Sequence, residues 1–235
     1  MGKKEEISSK YILFSLSLIL TLMSCENYYF SQAKQLESEG KYEEAIVLLD
    51  KAIQKNHKNL YALINRGAYK SFLEDYKGSI EDCTKVIEID SINALAYLNR
   101  GNSKANLGNY TEAIEDYNKA LKIKGVNENA DGSYFYFEFA DNLFIKKKTS
   151  DFDVTIEEIR LERGFARYHI DSLIDAFNDF YFCAQKNYDS PTSYYMVGLI
   201  YLACGDREEA YLALNKSRIL GNPNAQEMIN KYFKK

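Results

Sequence analysis

Apolar residues recur along this chain with the spacing of one helix face, and the helices that they predict come in pairs. Between Gly40 and Ile53 the apolar positions follow the three, four and seven spacing of an amphipathic helix. Another helix is predicted from Tyr29 to Glu39, and Gly40 suits its end because glycine adopts positive φ without a Cβ clash. Two such helices cannot bury their apolar faces alone, so we expect each pair to stack on the next.

The helix pair repeats with a period of 34 residues. Gly67 and Gly101 are one period apart, and so are Gly164 and Gly198. The step from Gly101 to Gly164 is one period plus 29 residues, which predicts an insertion. A fixed period of this length predicts an all-α solenoid of helix-turn-helix units, an architecture that presents binding surfaces. Alignment by the glycines predicts five repeats: 26–59, 60–93, 94–127, 157–190 and 191–224.

Small and large residues alternate at fixed positions of each repeat, as close helix packing requires. The first helix carries a small residue at Ala33, Gly67, Gly101, Gly164 and Gly198. The second helix carries a small residue at Ala45, Ser79, Ala113, Ala176 and Ala210, and a larger partner at Leu49, Cys83, Tyr117, Phe180 and Leu214. Together with the aromatic residues Tyr42, Tyr76 and Tyr110, these positions resemble the tetratricopeptide repeat. Leu173 and Arg207 occupy the same position in the last two repeats but are not aromatic, so these two repeats are the more divergent ones.

The resemblance implies a right-handed solenoid in which the first helix of each repeat lines a concave groove. The residues expected to line it are Ile64, Phe72, Asn102, Asn106, Phe165, Tyr168, His169, Tyr195 and Leu199. This mixture of aromatic and amide side chains lacks the lysine-rich set with which some family members hold a terminal carboxylate. We therefore expect the groove to bind an extended or helical segment through apolar anchors.

Charged residues also recur with the period. Arginine precedes the glycine in three repeats and aspartate falls in the second helix of the same repeats: Arg66, Arg100, Arg163, Asp82, Asp116 and Asp179. One interpretation is a structural ion pair repeated along the stack, and the other is a ladder of charge that faces a ligand. We favour the structural ion pair.

The N-terminus has the organisation of a bacterial lipoprotein signal peptide. Lys3, Lys4 and Lys10 precede an uncharged apolar run, Tyr11–Met23, whose 13 residues are too few to span a bilayer. The run ends in Leu22-Met23-Ser24-Cys25, which resembles the lipobox. The resemblance implies removal of residues 1–24 and lipid attachment at Cys25, with diacylglycerol on the sulfur and acylation of the new amine. The alternative is a plain signal peptide or an uncleaved anchor with an incidental cysteine.

This N-terminus and the repeats together resemble the tetratricopeptide-repeat lipoproteins of the Bacteroidota. The resemblance implies a cell-envelope protein anchored to a bacterial membrane, with the outer membrane favoured, and a domain that faces the periplasm or the exterior. Two or more acyl chains hold a protein stably at a membrane, whereas one does so marginally.

An aromatic-rich insertion, 128–156, separates repeats 1–3 (25–127) from repeats 4 and 5 (157–224). Aromatic runs flank Ala140-Asp141-Asn142, which favours a β-hairpin of 134–139 with 143–148 over a degenerate helix pair. Its aromatic side chains either fill the gap between repeats or form a patch that contacts a partner: Tyr134, Tyr136, Phe137 and Phe139. The last segment, 225–235, is predicted to be an amphipathic helix that caps the stack.

Composition limits the chemistry. The chain has 235 residues and a net charge of −4, and without residues 1–24 it has 27 basic and 32 acidic side chains. A nucleic-acid partner is not expected, because phosphate binding requires a basic patch. His57 and His169 lack the partners of a catalytic or metal site, and we expect no cofactor, no metal and no small-molecule substrate.

These patterns predict a protein-interaction module that acts as a scaffold or adaptor among envelope proteins. The first alternative is an assembly or secretion chaperone that binds client segments. The second, less favoured, is an enzyme or glycan-binding subunit that uses the 128–156 insertion. The sequence does not identify the partner.

Overall fold

The computed structural model describes residues 28–128, 134–136 and 154–234, which belong to two compact units that divide between Ser91 and Ile92. The first unit contains α1 (28–38), α2 (Tyr42–Lys55), α3 (Leu60–Phe72) and α4 (Tyr76–Ile89). The second contains α5 (Ala94–Asn106), α6 (Tyr110–Ile123), β1 (Val126–Glu128), β2 (Tyr134–Tyr136), α7 (Ile156–His169), α8 (Leu173–Gln185), α9 (Ser190–Ala203), α10 (Arg207–Ile219) and α11 (Ala225–Phe233).

Consecutive helices pack on one another within each unit. In the first unit α3 packs on both α2 and α4, and in the second unit each helix from α5 to α11 packs on the next one. Stacked helix pairs of this kind confirm the all-α helix-turn-helix repeat fold. In the part of the chain that the structure describes, no helix is both long enough and apolar enough to cross a bilayer.

The same left-handed turn joins the two helices of every repeat. Its central residue has positive φ at Gly40 (73°), Glu74 (62°), Gly108 (80°), Asp171 (58°) and Gly205 (82°). Glycine adopts this conformation freely, whereas a residue with a Cβ atom meets a steric cost of about 1–2 kcal/mol. The tight turn therefore recurs even in the two repeats that lack its glycine.

Glycines in the first helices let the second helices approach closely. A Cβ atom on Gly101 would lie 2.7 Å from Cε1 of Tyr117, and one on Gly198 would lie 2.7 Å from Cγ of Leu214. At Gly67 the facing side chain is the smaller Cys83, and its sulfur would be 3.4 Å away. In each of these three repeats the facing residue of the second helix packs directly on the glycine, and both are buried.

An arginine–aspartate pair holds the two helices of three repeats together. The arginine Nε and Nη2 atoms donate to both oxygens of the aspartate sixteen residues later, in the pairs Arg66–Asp82, Arg100–Asp116 and Arg163–Asp179. A second cation, one helical turn after each arginine, contacts the same carboxylate at 2.7–2.9 Å: Lys70, Lys104 and Arg167. These carboxylates are nearly inaccessible, so the bonds replace hydration that burial removes.

The arginine also connects neighbouring repeats. Nη1 of Arg66 donates to Asp50 on α2, and Nη1 of Arg163 donates to Oδ1 of Asn118 on α6 at 2.6 Å. Asp50 and Asn118 occupy the same position of their repeats, two periods apart. Each of these guanidinium groups therefore binds the second helix of its own repeat and that of the preceding one.

A short antiparallel pair of strands follows α6. β2 pairs with β1, with Val126 opposite Tyr136 and Glu128 opposite Tyr134. The sequence predicted residues 134–139 as one strand of a hairpin, but it did not predict β1 as a partner of that strand. Residues 143–148 lie outside the described residues, and so do Phe137 and Phe139.

Helix α11 closes the C-terminal end of the second unit by packing on α10. Arg207 at the start of α10 donates to the carbonyl oxygen of Tyr232, and its guanidinium carbon lies 5.1 Å from the ring centroid of Phe233. Tyr211 adds an edge-to-face contact with Phe233, with ring centroids 5.3 Å apart. Because α11 begins 35 residues after α9, close to the 34-residue period, it occupies the position of the first helix of a further repeat.

Candidate functional site

A cleft of about 360 Å³ lies in the second unit, where α7, α9 and α11 converge. Its lining is one residue of α7, four of α9 and two of α11: Tyr168, Tyr195, Leu199, Leu202, Ala203, Met228 and Tyr232. Tyr168, Tyr195 and Leu199 are three of the residues that the sequence predicted for the groove. The structure brings them together around one cleft whose lining is both apolar and polar.

Three tyrosines line this cleft. Burial raises the pKa of Tyr195, and the Glu227 carboxylate and Tyr168 raise it further, so the hydroxyl is protonated at neutral pH. It can therefore donate a hydrogen bond. On α11 the Lys231 ammonium lies 5.2 Å from the ring centroid of Tyr232. The cleft thus combines apolar side chains with hydrogen-bonding groups, a combination that is typical of ligand-binding sites.

The other predicted groove residues of α7 flank the cleft. Phe165 is half-buried and packs edge to face on Phe180, with ring centroids 5.1 Å apart, so it also supports the core. His169 is exposed and stacks on Tyr110 of α6, with parallel rings whose centroids are 4.4 Å apart. This stacking gives the imidazole ring of His169 a structural role between α6 and α7.

Two carboxylates lie one turn apart on α7, before Phe165. Burial raises the pKa of Glu162, and the neighbouring Glu158 carboxylate raises it further. Burial also raises the pKa of Glu158, although a hydrogen bond with the backbone of Thr155 opposes the shift. Neither glutamate was singled out from the sequence. Glu158 and Glu162 precede Phe165 by seven and three residues, and residues with this spacing share a helix face. That spacing could have indicated that they lie on the same side of α7 as Phe165.

Helix α5 presents amide groups to the same part of the unit. The Tyr117 hydroxyl donates to Oδ1 of Asn102 at 2.8 Å, and Nδ2 of Asn106 donates to the backbone oxygen of Asn102 at 2.8 Å. Burial raises the pKa of Tyr117, and Glu162 contributes to that rise, so the Glu162 carboxylate lies near this hydroxyl. Asn102, Tyr117 and Glu162 therefore form one polar region.

The first unit contains the remaining two groove predictions. Phe72 is 62 % exposed, and its ring centroid is 5.1 Å from that of Tyr42. Ile64 is only 3 % exposed, so its side chain packs in the interior and does not line an accessible groove. The equivalent residues Leu98 and Leu161 are buried as well. This position is therefore a core position in the inner repeats, whereas Tyr195 in the last repeat is partly accessible, as is the equivalent Phe30 in the first.

Several residues of the cleft were not predicted from the sequence. Leu202 and Ala203 follow Tyr168 and His169 by one period of 34 residues. The periodicity could therefore have predicted them as groove residues. Met228 and Tyr232 belong to the helix that was predicted only as a cap: it also forms one wall of the cleft.

The predicted insertion patch is only partly described, and the predicted lipid-attachment site lies outside the described residues. Tyr134 and Tyr136 belong to β2, whereas Phe137, Phe139 and Cys25 fall in the parts that the structure does not describe. Within residues 28–128, 134–136 and 154–234, no group of three or more histidine, cysteine or acidic side chains is placed to hold a metal ion.

Comparison with family models identifies tetratricopeptide repeats in both divergent and regular parts of the chain. One tetratricopeptide-repeat family model matches residues 94–125, and another matches residues 191–217. These segments correspond to α5–α6 and to most of α9–α10. The chain therefore contains tetratricopeptide repeats, as the residue pattern predicted. No curated protein sequence matches the chain.

Solved structures share this fold at low sequence identity. MamA from Desulfovibrio magneticus RS-1 is 13 % identical with a TM-score of 0.66, and the match covers 83 % of this chain and 94 % of that one. YrrB, described as a TPR protein with an unusual peptide-binding site, is 19 % identical with a TM-score of 0.61 and coverages of 86 % and 90 %. PilW, a type IV pilus biogenesis factor, is 15 % identical with a TM-score of 0.62 and coverages of 88 % and 93 %. These similarities show a common fold.

Proposed function

We propose that this chain is a lipid-anchored tetratricopeptide-repeat protein that acts as a scaffold or adaptor in a bacterial cell envelope. In this proposal a segment of a partner protein binds on the face of the second unit that contains the cleft. The observation that carries the proposal is the convergence of Tyr168, Tyr195 and Met228, from three separate helices, around one cleft. Its volume of about 360 Å³ is enough for one large side chain with adjoining backbone.

The shape of the cleft favours a peptide over other ligands. Its long walls are helix faces from successive repeats, and such surfaces are suited to a segment that crosses them. Aromatic side chains provide large contact areas at low conformational cost, and tyrosine is enriched among the residues that dominate binding energies. The peptide-binding site described for YrrB supports the same mode of recognition for this fold.

Anchoring through Cys25 is supported by the sequence Leu22-Met23-Ser24-Cys25 after a basic and then apolar segment. A lipid on the first residue of the processed chain holds the repeats near the membrane surface. We place the domain in the periplasm or at the exterior, and we favour the outer membrane.

The proposal is tested by recovering partners from the host with a tagged, detergent-solubilised chain. Tyr195→Ala removes a central residue of the cleft, and Tyr181→Ala is the matched control because Tyr181 is an exposed tyrosine on α8 outside the cleft. We expect one dominant partner whose recovery falls at least about tenfold with Tyr195→Ala and stays unchanged with Tyr181→Ala. Thermal unfolding of both variants establishes that the fold is intact.

Other outcomes of this experiment identify the alternatives. Many partners in small amounts, all reduced by Tyr195→Ala, indicate a chaperone that binds client segments. A partner list that neither substitution changes contradicts binding in the cleft. It directs attention to the 128–156 insertion and to an enzymatic or glycan-binding role.

A further inference from the structure

The first helix of the structure begins close to the residue that is proposed to carry the lipid. α1 begins at residue 28, and only residues 26 and 27 separate Tyr28 from Cys25. Three residue steps span at most about 11 Å even in a fully extended chain. In the lipidated chain the acyl groups of Cys25 lie in the hydrocarbon, so its backbone lies at the level of the lipid headgroups. The start of α1 is therefore held beside the membrane surface.

Tyr28 is exposed at a repeat position that is buried in the rest of the chain. The equivalent residues of the other repeats are all buried: Ala62, Ala96, Ile159 and Ser193. Tyr28 is 60 % exposed, and its ring packs edge to face on Tyr29 with ring centroids 5.8 Å apart. Terminal repeats usually carry polar residues on their outer face, because that face meets water. An exposed tyrosine at this position therefore indicates a contact surface.

A second aromatic pair lies at the same end of the first unit. The half-buried Phe30 packs edge to face on Tyr61 at the start of α3, with ring centroids 6.1 Å apart, and Tyr61 is 47 % exposed. At the end of α2 the Lys55 ammonium lies 5.0 Å from the ring centroid of Tyr29. These contacts join the start of α1, the end of α2 and the start of α3. We call the exposed and half-exposed residues of this end the aromatic edge: Tyr28, Phe30, Lys55, Lys58 and Tyr61.

The charge around the aromatic edge differs from the charge at the other end of the same helices. Segments 28–34 and 55–61 contain three lysines and no acidic residue. Segments 35–44 and 73–77, which contain the turns at the other end, have six acidic residues and two lysines. A membrane surface with anionic lipids attracts lysine side chains. Tyrosine favours the headgroup level, because its ring is apolar and its hydroxyl is polar. The aromatic edge thus matches a lipid surface in both respects.

We propose that the aromatic edge contacts the headgroup region of the membrane in which the chain is anchored. This inference rests on the proposed lipid anchor and adds an orientation: the first unit turns this edge toward the bilayer and its acidic turns away from it. Several membrane contacts together hold a protein more stably than one. We commit to a lipid surface over a second protein because Cys25 brings the bilayer to within about 11 Å of Tyr28.

Tryptophan fluorescence tests this orientation, because the chain contains no tryptophan of its own. Tyr28→Trp and Tyr61→Trp are prepared separately in the lipidated chain and reconstituted into vesicles of phosphatidylethanolamine and phosphatidylglycerol. Phe72→Trp is the matched control, because Phe72 is 62 % exposed and lies about 16 Å from Tyr61 along the same helix, at its other end.

Bromine on the acyl carbons nearest the headgroup quenches a tryptophan that contacts the lipid. We expect Tyr28→Trp and Tyr61→Trp to lose at least about half of their emission in brominated vesicles, relative to the same vesicles without bromine. Phe72→Trp is expected to keep its emission. Circular dichroism of the three variants establishes that the helices are intact.

The lysines of the aromatic edge are tested by reversing one charge. Lys58 is exposed in the connection between α2 and α3, so Lys58→Glu is expected to reduce the quenching of Tyr61→Trp about twofold. Lys77→Glu is the matched control, because Lys77 is an exposed lysine at the start of α4, at the other end of the unit. It is expected to leave the quenching unchanged. Equal quenching with both substitutions contradicts a role of charge at this edge.

Intact mass and sedimentation with vesicles distinguish failure of this inference from failure of the proposed anchor. A chain that carries the lipid and sediments, but shows no quenching at Tyr28→Trp or Tyr61→Trp, overturns the inference and leaves the anchor in place. Emission that shifts to shorter wavelength equally in both kinds of vesicle also overturns it, because a second copy or a partner protein then covers this edge. A chain that lacks the lipid mass and does not sediment contradicts the anchor and the inference together.

Discussion

Replacing Asp179 with alanine is expected to lower the free energy of unfolding of the second unit by about 3–5 kcal/mol. Asp179 is fully buried, and its two oxygens accept hydrogen bonds from Arg163 and Arg167 at 2.7–2.9 Å. Alanine removes the carboxylate but leaves two buried guanidinium groups without it. Breaking one side of a buried charge network costs more than the pair contributes, because the remaining charge has no access to water.

Chemical unfolding followed by circular dichroism measures this loss, with Asp175→Ala as the control on the same helix. Asp175 is exposed and accepts a hydrogen bond from the Ser172 hydroxyl, so its loss is expected to cost no more than about 1 kcal/mol. The equivalent change Asp82→Ala in the first unit is expected to cost less than Asp179→Ala, because the Arg66 side chain remains 13 % exposed. Equal losses for Asp179→Ala and Asp175→Ala contradict the role given to the network.

Cys25→Ser is expected to abolish formation of the mature lipidated protein. A serine hydroxyl lacks the nucleophilicity of a thiolate, so the diacylglyceryl group is not attached and cleavage before residue 25 does not follow. The protein is then recovered either as the longer precursor or in the soluble fraction. Membrane fractionation combined with intact-mass measurement distinguishes these forms.

Cys204→Ser is the matched control for the anchor, because Cys204 is an exposed free cysteine in the second unit. We expect this variant to fractionate and migrate as the unmodified protein does. Membrane association of Cys25→Ser at the size and mass of the mature lipidated form contradicts the proposed anchor.

The repeat architecture was predictable because the residues that specify it act within one or two helices. A glycine packs on a large residue in the facing helix, as at Gly101 and Tyr117, and this local steric requirement recurs with the period. The ion pairs follow the same rule, since Arg66 and Asp82 are sixteen residues apart in adjacent helices. Lys70 was equally predictable, because it lies one helical turn after the arginine.

Accessibility was less predictable, because it depends on what covers a position. Ile64 and Tyr195 occupy the same position of their repeats, yet Ile64 is buried and Tyr195 lines the cleft. The pKa of Glu162 is raised first by burial and then by Glu158 one turn earlier on α7, and the extent of burial depends on what packs over the helix. The pairing of β2 with β1 also escaped prediction, since short strands carry weak register signals and β1 lay within a segment assigned to a helical repeat.

Photo-cross-linking in the host tests the central claim most directly. A photoreactive amino acid replaces Leu199 in the cleft, and in a second strain it replaces Ile174, which is 80 % exposed on α8 and does not line the cleft. The account predicts one dominant cross-linked protein at Leu199 that is absent at Ile174, with the attachment point confined to one segment of that protein. No cross-linked partner at Leu199, or the same products at both positions, contradicts binding of a partner segment in the cleft.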